Sequence, residues 1–363
     1  LNGPGPLPDT MNGAGINLSN CVMTIRTCGL IENAADDSGA HKPKGAGAFV
    51  MNGTNTFEDC AFLANGVAGG VSDFTGSGIF CSNGVLVVDG CLFGDNTLDR
   101  GRGGGGVTQM GGNLTVRDSV FMGNFANATY KGGAAIYASG SAVVYDIGNC
   151  LAANNSASSA TSDGSGAFFL DAGTGAVHNC TIVGSSLAGV RRSGGSATLR
   201  HCILWDNMVD IHGTVTITNS CVEEGYAGAG NFTNNPLLVY EYYLATSSPC
   251  VNTGATTAAA EGLSGKYAES GNVDSGVLDL GYHHEESFAP GATNLYVSTS
   301  GTNSNTGASW AQSFRTVTRA LSLAGPGCTI HVATGAYSIA SGEAFPLTNK
   351  VQAVQIVGED AER

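Results

Sequence analysis

At 363 residues the chain is long enough for one to three domains, and its net charge of −14 excludes a nucleic-acid partner, since phosphate contacts need clustered Lys and Arg. Glycine, at 55 residues, is about twice its usual share, and charged residues, at 12%, about half theirs. With 42% hydrophobic residues this excludes a charge-rich disordered chain and points to all-β structure with many turns.

The chain opens at Leu1, with no signal-peptide pattern, and reads as a processed or excised product. No apolar run approaches the ~18–20 residues of a membrane span. Low charge with abundant Gly, Ser, Thr and Asn suits an exported surface protein.

A repeat then runs through residues 1–233. Cysteine recurs at Cys21, Cys60, Cys91, Cys150, Cys180, Cys202 and Cys221, with Ser119 in one slot, at spacings of 39, 31, 28, 31, 30, 22 and 19 residues. A glycine-rich marker precedes it by about a dozen residues: GAGAFV around Ala48, GSGIF around Ile79, GGGGV at Val107, GGAAIY around Ala135 and GSGAFF around Ala167. The polar stretch NAADDSGAHKPKG, carrying Asp36 and Asp37, reads as a solvated loop that lengthens the first spacing.

Each unit holds two or three strand-length runs between Gly, Asn and Asp turns, and no such unit buries a face alone. Stacking in register gives a coil of parallel strands ~4.8 Å apart, with like residues in ladders. A cysteine ladder points inward, and Asn65, Asn96, Asn124 and Asn207 form a turn ladder, since Asn tolerates left-handed backbone. Cysteines stacked at that spacing read as packed thiols rather than disulfides; Cys28, Cys81, Cys250 and Cys328 lie outside the column, open to pairing.

The markers GGAAI and FxxN (Phe62–Asn65, Phe93–Asn96, Phe121–Asn124) resemble the repeats of polymorphic outer-membrane proteins and, more broadly, the right-handed parallel β-helix proteins of the pectate-lyase-like superfamily. The resemblance implies an all-β right-handed solenoid. Residues 234–286, ending LDLGYHHE, resemble the segment that closes many bacterial surface β-helices. Residues 293–363, from YVSTSGTNSNTG onward, resemble the segment that opens them, with a capping helix near 313–324.

The N-T-D, D-D, G-H-G and R-I-K motifs of that superfamily's hydrolases are absent as a set, so no catalytic residue, metal site or cofactor is expected. Of the adjacent acid pairs Asp36-Asp37, Glu223-Glu224 and Glu285-Glu286, the first reads as solvated; His178 and His201 read as a stacked surface pair, and His283 and His284 as structural. Tyr130, Tyr137 and Tyr145 are candidates for a glycan-binding face.

The parts thus stand in the order body, closing segment, opening segment. The opening segment could cap its own body, follow as part of a tandem array, or cap a neighbour head-to-tail. The body's ends lie roughly 35–45 Å apart, whereas the linker SFAPGAT spans at most ~25 Å, so capping in the same chain is out of reach unless the closing segment runs back. The leading expectation is a cell-surface or extracellular homopolymer. Its interface would be drawn from Leu1, Phe314, Val317, Leu321, Ala324, Ile330, Val332 and Arg363, and Arg363 would suit an Arg-specific cleavage.

Overall fold

The computed structural model describes residues 15–37, 44–69, 74–99, 101–128, 131–159, 165–239, 242–269, 271–285, 294–324, 328–343, 347 and 354–359. The chain is an all-β parallel β-helix with one short α-helix, Val317–Leu323. Eight coils of the body are recorded in an 8-stranded sheet, from Gly29–Ile31 through Leu92–Gly94 to Cys221–Val222. A 16-stranded sheet makes the other two faces, and the strands Ile79–Asp89 and Val107–Arg117 run through the corner between them. Five short strands beyond the asparagine turn form a further sheet; Asp36 and Asp37, expected in a loop, end its strand Ala34–Asp37.

Period-2 alternation places Phe57, Val88, Val116, Ile147 and Val177 in one inward column, all buried. The two sequence markers pack on each other. The rings of Phe62, Phe93 and Phe121 stack at 4.8 and 4.7 Å and fill the space where Gly47, Gly78 and Gly106 would carry a Cβ. In the next coil the ring is replaced by Ala152 and the glycine by Ala135, so the two slots exchange volume.

The asparagine ladder is longer than the sequence reading has it. It runs Asn33, Asn65, Asn96, Asn124 and Asn155, then after Ser185 to Asn207. The side-chain carbonyls of Asn65, Asn96, Asn124 and Asn155 each accept both the backbone and the side-chain N–H of the preceding Asn, for example Asn65 N–H at 3.0 Å and Nδ2 at 2.9 Å on Asn96 Oδ1. Each Nδ2 also reaches a carbonyl of the coil before, as Asn96 does to Phe62 at 2.8 Å. The reason for asparagine is therefore not left-handed backbone. That conformation belongs to the residue before it: Glu32, Ala64, Asp95, Gly123, Asn154, Gly184 or Asp206. Asn65, Asn96, Asn124 and Asn155 are buried and satisfy turn N–H and C=O groups that neither water nor a strand reaches.

Register also corrects the cysteine column. Gly29 pairs Ala61 and Ile203 pairs Cys221, so the slot just before them holds Cys28, Cys60, Cys91, Ser119, Cys150, Cys180, Cys202 and Ser220. Cys21 lies one turn earlier and Cys221 one residue later. With Cys28 in place the first spacing is 32, and no insertion is needed to explain it.

The column selects a small X–H group. Cys91 N–H donates to Ser119 Oγ at 3.1 Å and Cys202 N–H to Ser220 Oγ at 3.0 Å, while Cys60 N–H meets Cys91 Sγ at 3.4 Å. Each thiol or hydroxyl donates to the carbonyl two residues back, at 3.2 Å for Cys60 and 2.6 Å for Ser119. The thiols of this column are not bonded to one another. Burial pushes the Cys91 thiol up to about 12, which keeps it protonated and able to donate.

The two columns give one contrast. Asn96→Leu removes the partners of buried amides in two neighbouring coils and should lower unfolding free energy by about 2–4 kcal/mol in urea titration. Cys91→Ser keeps an X–H group and should cost less than about 1 kcal/mol.

Candidate functional site

Two features of the body could carry function: a strap on its flank and an open edge at its first coil. The strap is the closing segment. Residues 226–232 first cover the last coil, where Val222 N–H donates to Phe232 C=O at 3.0 Å and Asn231 Oδ1 accepts Ser220 N–H at 3.1 Å. The segment then turns back along the body. Gly281 N–H donates to His201 C=O at 2.9 Å, Tyr282 N–H to Thr181 Oγ1 at 3.0 Å, and His283 N–H to Asn149 Oδ1 at 2.7 Å, one coil further each time. Gly281 has φ 89°, and a Cβ there would collide with Thr181 and Ile203.

Apolar contacts hold the strap: Leu244, Cys250 and Leu280 pack on Ile203 and Cys221, and Tyr282 on Leu151 and Val183. The DLGYHHE motif is its clasp. His283 Nε2 pairs with Asp274 at 2.9 Å, Asp274 accepts Asp279 N–H at 2.8 Å, and His284 stacks on Tyr243 at 3.6 Å.

Polar locks reinforce it. Glu261 accepts Arg200 Nη1 at 2.7 Å and Asn179 Nδ2 at 3.0 Å, and lies 3.9 Å from both His178 and His201. His178 also meets Asp146 at 3.0 Å, in room left by Gly148. Lys266 reaches Asp118 at 2.5 Å and Glu285 at 2.7 Å. His178 and His201 thus share one face as expected, but the carboxylate they face comes from the strap. Sequence reading missed it because Glu261 lies some 60 residues away in an unpatterned stretch. The charges pair with one another, and among the described residues no group of three His, Cys, Asp or Glu is placed to hold a metal.

The expected aromatic face is not available. Tyr137 is buried with its hydroxyl on Asp171 at 3.1 Å, and Tyr145 is buried with its hydroxyl on Ser196 C=O at 3.0 Å; Tyr130 lies outside the described residues. Glu223 and Glu224 are exposed and accept backbone N–H groups of Asp206 and Asp210 at 2.6 and 3.2 Å.

Among the described residues no strand pairs with the outer edge of the first coil. Met23 occupies an inward position, in register with Asn55, Leu86 and Leu114, which are at most 1% exposed, yet Met23 is 45% exposed. Cys28 is likewise exposed while Cys60 and Cys91 in its column are buried.

The C-terminal segment folds as a unit with its own core. Strands Asn294–Val297, Thr329–Ala333 and Gln355–Glu359 form a parallel sheet in that order. Phe314, Val317, Leu321, Ala324 and Ile330 are buried between the sheet and the helix, with Val332 packed beside them. The helix is shorter than expected: Phe314 precedes it in a bridge to Val297, and Ala324 follows its last turn. Thr316 Oγ1 caps Arg319 N–H at 3.1 Å, and Glu343 accepts Val317 N–H at 2.6 Å and Thr318 N–H at 3.0 Å.

These apolar residues are thus spent inside the unit, and the surface left for a neighbour is the last strand. Ile356, in register with buried Leu295 and Ile330, is 53% exposed. Leu1 and Arg363 lie outside the described residues.

A family described as a protein of unknown function (DUF1565), one associated with β-helix proteins, matches residues 299–363, within this unit. No curated protein and no solved structure matches the chain. No helix among the described residues is long and apolar enough to cross a membrane.

Strap docking should weaken in acid. Burial pushes His284 down to about 3, and burial, with Arg200, also lowers His178 and His201. The free imidazole titrates near 6.5, so between about pH 6.5 and 3 the open strap binds protons that the docked strap excludes. For Glu261, burial pulls upward, but the bonds from Arg200 and Asn179 outweigh it and hold the carboxyl below its usual range, adding a loss at lower pH. Asp279, raised by burial to about 6, works the other way as its carboxyl takes up a proton. Three imidazoles outweigh one carboxyl, and hydrogen exchange in 242–285 should accelerate from pH 6.5 to 4, after correction for intrinsic rates, more than in the coils.

Proposed function

We propose that the protein is a non-catalytic structural subunit of an extracellular or cell-surface assembly, joined head-to-tail by its C-terminal unit. The supporting observation is the pair of open edges, Met23 on the first coil and Ile356 on the last strand of the C-terminal unit. Both are inward positions of parallel stacks whose column mates are buried.

The edges are complementary in direction. Among the described residues no strand pairs with the outer edge of Val22–Arg26 or of Gln355–Glu359, so stacking one on the other continues a single parallel ladder. Strand Gln355–Glu359 and strand Val22–Arg26 are both five residues long. Setting Ile356 over Met23 places Gly358 over Ile25 and brings Glu359 into register with Arg26, whose guanidinium already pairs with Glu58 in the next coil. Contact between copies in this sense is heterologous and builds open filaments unless rotation closes a ring.

The strap shortens the gap for a second reading, the same contact within one chain. Since Lys266 and Glu285 lie beside Asp118, the chain re-emerges near the fourth coil rather than beyond the last. In that arrangement Asn294–Val297 is the outermost strand of the unit, so six rungs at ~4.8 Å, about 29 Å, separate it from this point, close to the reach of about 30 Å for a segment as long as 286–293. Self-capping therefore needs that segment fully extended, and joining between copies is the reading the distances favour.

Light scattering over a range of concentrations separates the readings. Head-to-tail joining gives a mass that rises with concentration. Ile356→Asp should raise the dissociation constant by about 10- to 100-fold, and Arg26→Glu should weaken association with partial rescue by Glu359→Arg. A monodisperse monomer at all concentrations, unchanged by Ile356→Asp, would sink the assembly proposal.

A further inference from the structure

We propose that Cys221 and Cys250 form a disulfide that ties the strap to the last coil. The register that removes Cys221 from the inward thiol column sets it in the outward one, with Ala61, Leu92, Val120, Leu151, Thr181 and Ile203. That column faces the strap. Cys250, on the strap, lies in the same cluster, and both side chains are fully buried.

This pair differs from the stacked thiols. Successive members of the inward column belong to neighbouring rungs and point the same way, ~4.8 Å apart, too far for a bond without backbone movement. Cys221 and Cys250 approach from opposite sides of a packed boundary, so nothing fixes them at the rung spacing. The Cys250 side chain is the first cause of the raised Cys221 thiol, ahead of burial, whereas for Cys180 and Cys202 burial comes first. The proposal stands independently of the head-to-tail reading.

Formation needs an oxidant with a disulfide of its own, such as glutathione disulfide or an oxidoreductase. One cysteine, as thiolate, attacks that disulfide and releases one thiolate. The second, also deprotonated, attacks the mixed disulfide and releases the other. Two thiols are oxidised, one external disulfide is reduced to two thiols, and the two protons the cysteines lose are taken up by the two thiolates released. The raised Cys221 thiol makes attack slow in the docked state, so the bond forms while the strap is open. Once formed it is shielded with the rest of the cluster.

The test uses the full chain, unfolded in reductant and refolded in a glutathione/glutathione disulfide buffer poised near about −180 mV. Thiols are then trapped by alkylation and peptides mapped by mass spectrometry. The expected product has Cys221 bridged to Cys250 and the other nine cysteines alkylated. Alkylation of both, or a bridge from either to another cysteine, overturns the proposal.

Hydrogen exchange provides the second readout. The bridge closes a loop of about 30 residues, so strap amides in 242–285 should open on the order of a hundredfold less often in the oxidised than in the reduced protein. Cys250→Ser should abolish that redox difference while the coils keep their protection. Equal strap protection in both redox states of the wild type would contradict the tie, whether or not the variant folds.

Discussion

The fold depends on how each coil hands its turn polar groups to the next. A β-helix has no hairpins, so the corners between its faces are where backbone N–H and C=O groups would otherwise go unpaired. Here two corners are solved by side chains stacked in register. At one, the amides of Asn33, Asn65, Asn96, Asn124 and Asn155 pass hydrogen bonds from coil to coil. At the other, cysteine or serine takes an N–H from the preceding coil and returns an X–H to its own turn. A left-handed residue before each member bends the chain, at Asp59, Asp118 and Asn149 for one corner and Ala64, Asp95 and Asn154 for the other. Everything else, including the phenylalanine stack, is packed into the frame that these corners set.

This frame explains what was legible in the sequence. Cysteine, asparagine, phenylalanine and the glycine pairs recur because each slot has one physical requirement, and a requirement repeated every coil becomes a period. The period gave the parallel β-helix and all but the two ends of the inward thiol column. It misplaced those ends, Cys21 and Cys221, because a cysteine one residue or one turn out of register looks the same in a list of spacings. Only strand pairing separates them. The helix start was misread for a similar reason: Phe314 continues the apolar spacing of Val317 and Leu321 but pairs with Val297 as extended backbone.

The strap was not legible, for a different reason. It has little regular structure, and its partners His178, His201, Asn149 and Asp118 come from several coils, far away in sequence. No local pattern encodes Glu261 against Arg200 or Lys266 against Asp118. Its consequence is topological, since it returns the chain to the middle of the body. A closing segment that only covered the last coil would leave the C-terminal unit beyond reach of its own first coil. One that runs back brings self-capping to the limit of the linker's reach and leaves contact between copies unobstructed.

The central claim is therefore about one contact, strand Gln355–Glu359 on strand Val22–Arg26, with Ile356 over Met23. It is tested most directly by cross-linking between isotopically distinct copies. Met23→Cys protein carrying heavy nitrogen is mixed with light Ile356→Cys protein, oxidised mildly and digested. The account predicts a mixed-isotope peptide pair joining position 23 of one copy to position 356 of the other. Absence of that pair under conditions where the proteins associate, or a bond of either new cysteine elsewhere, would contradict it.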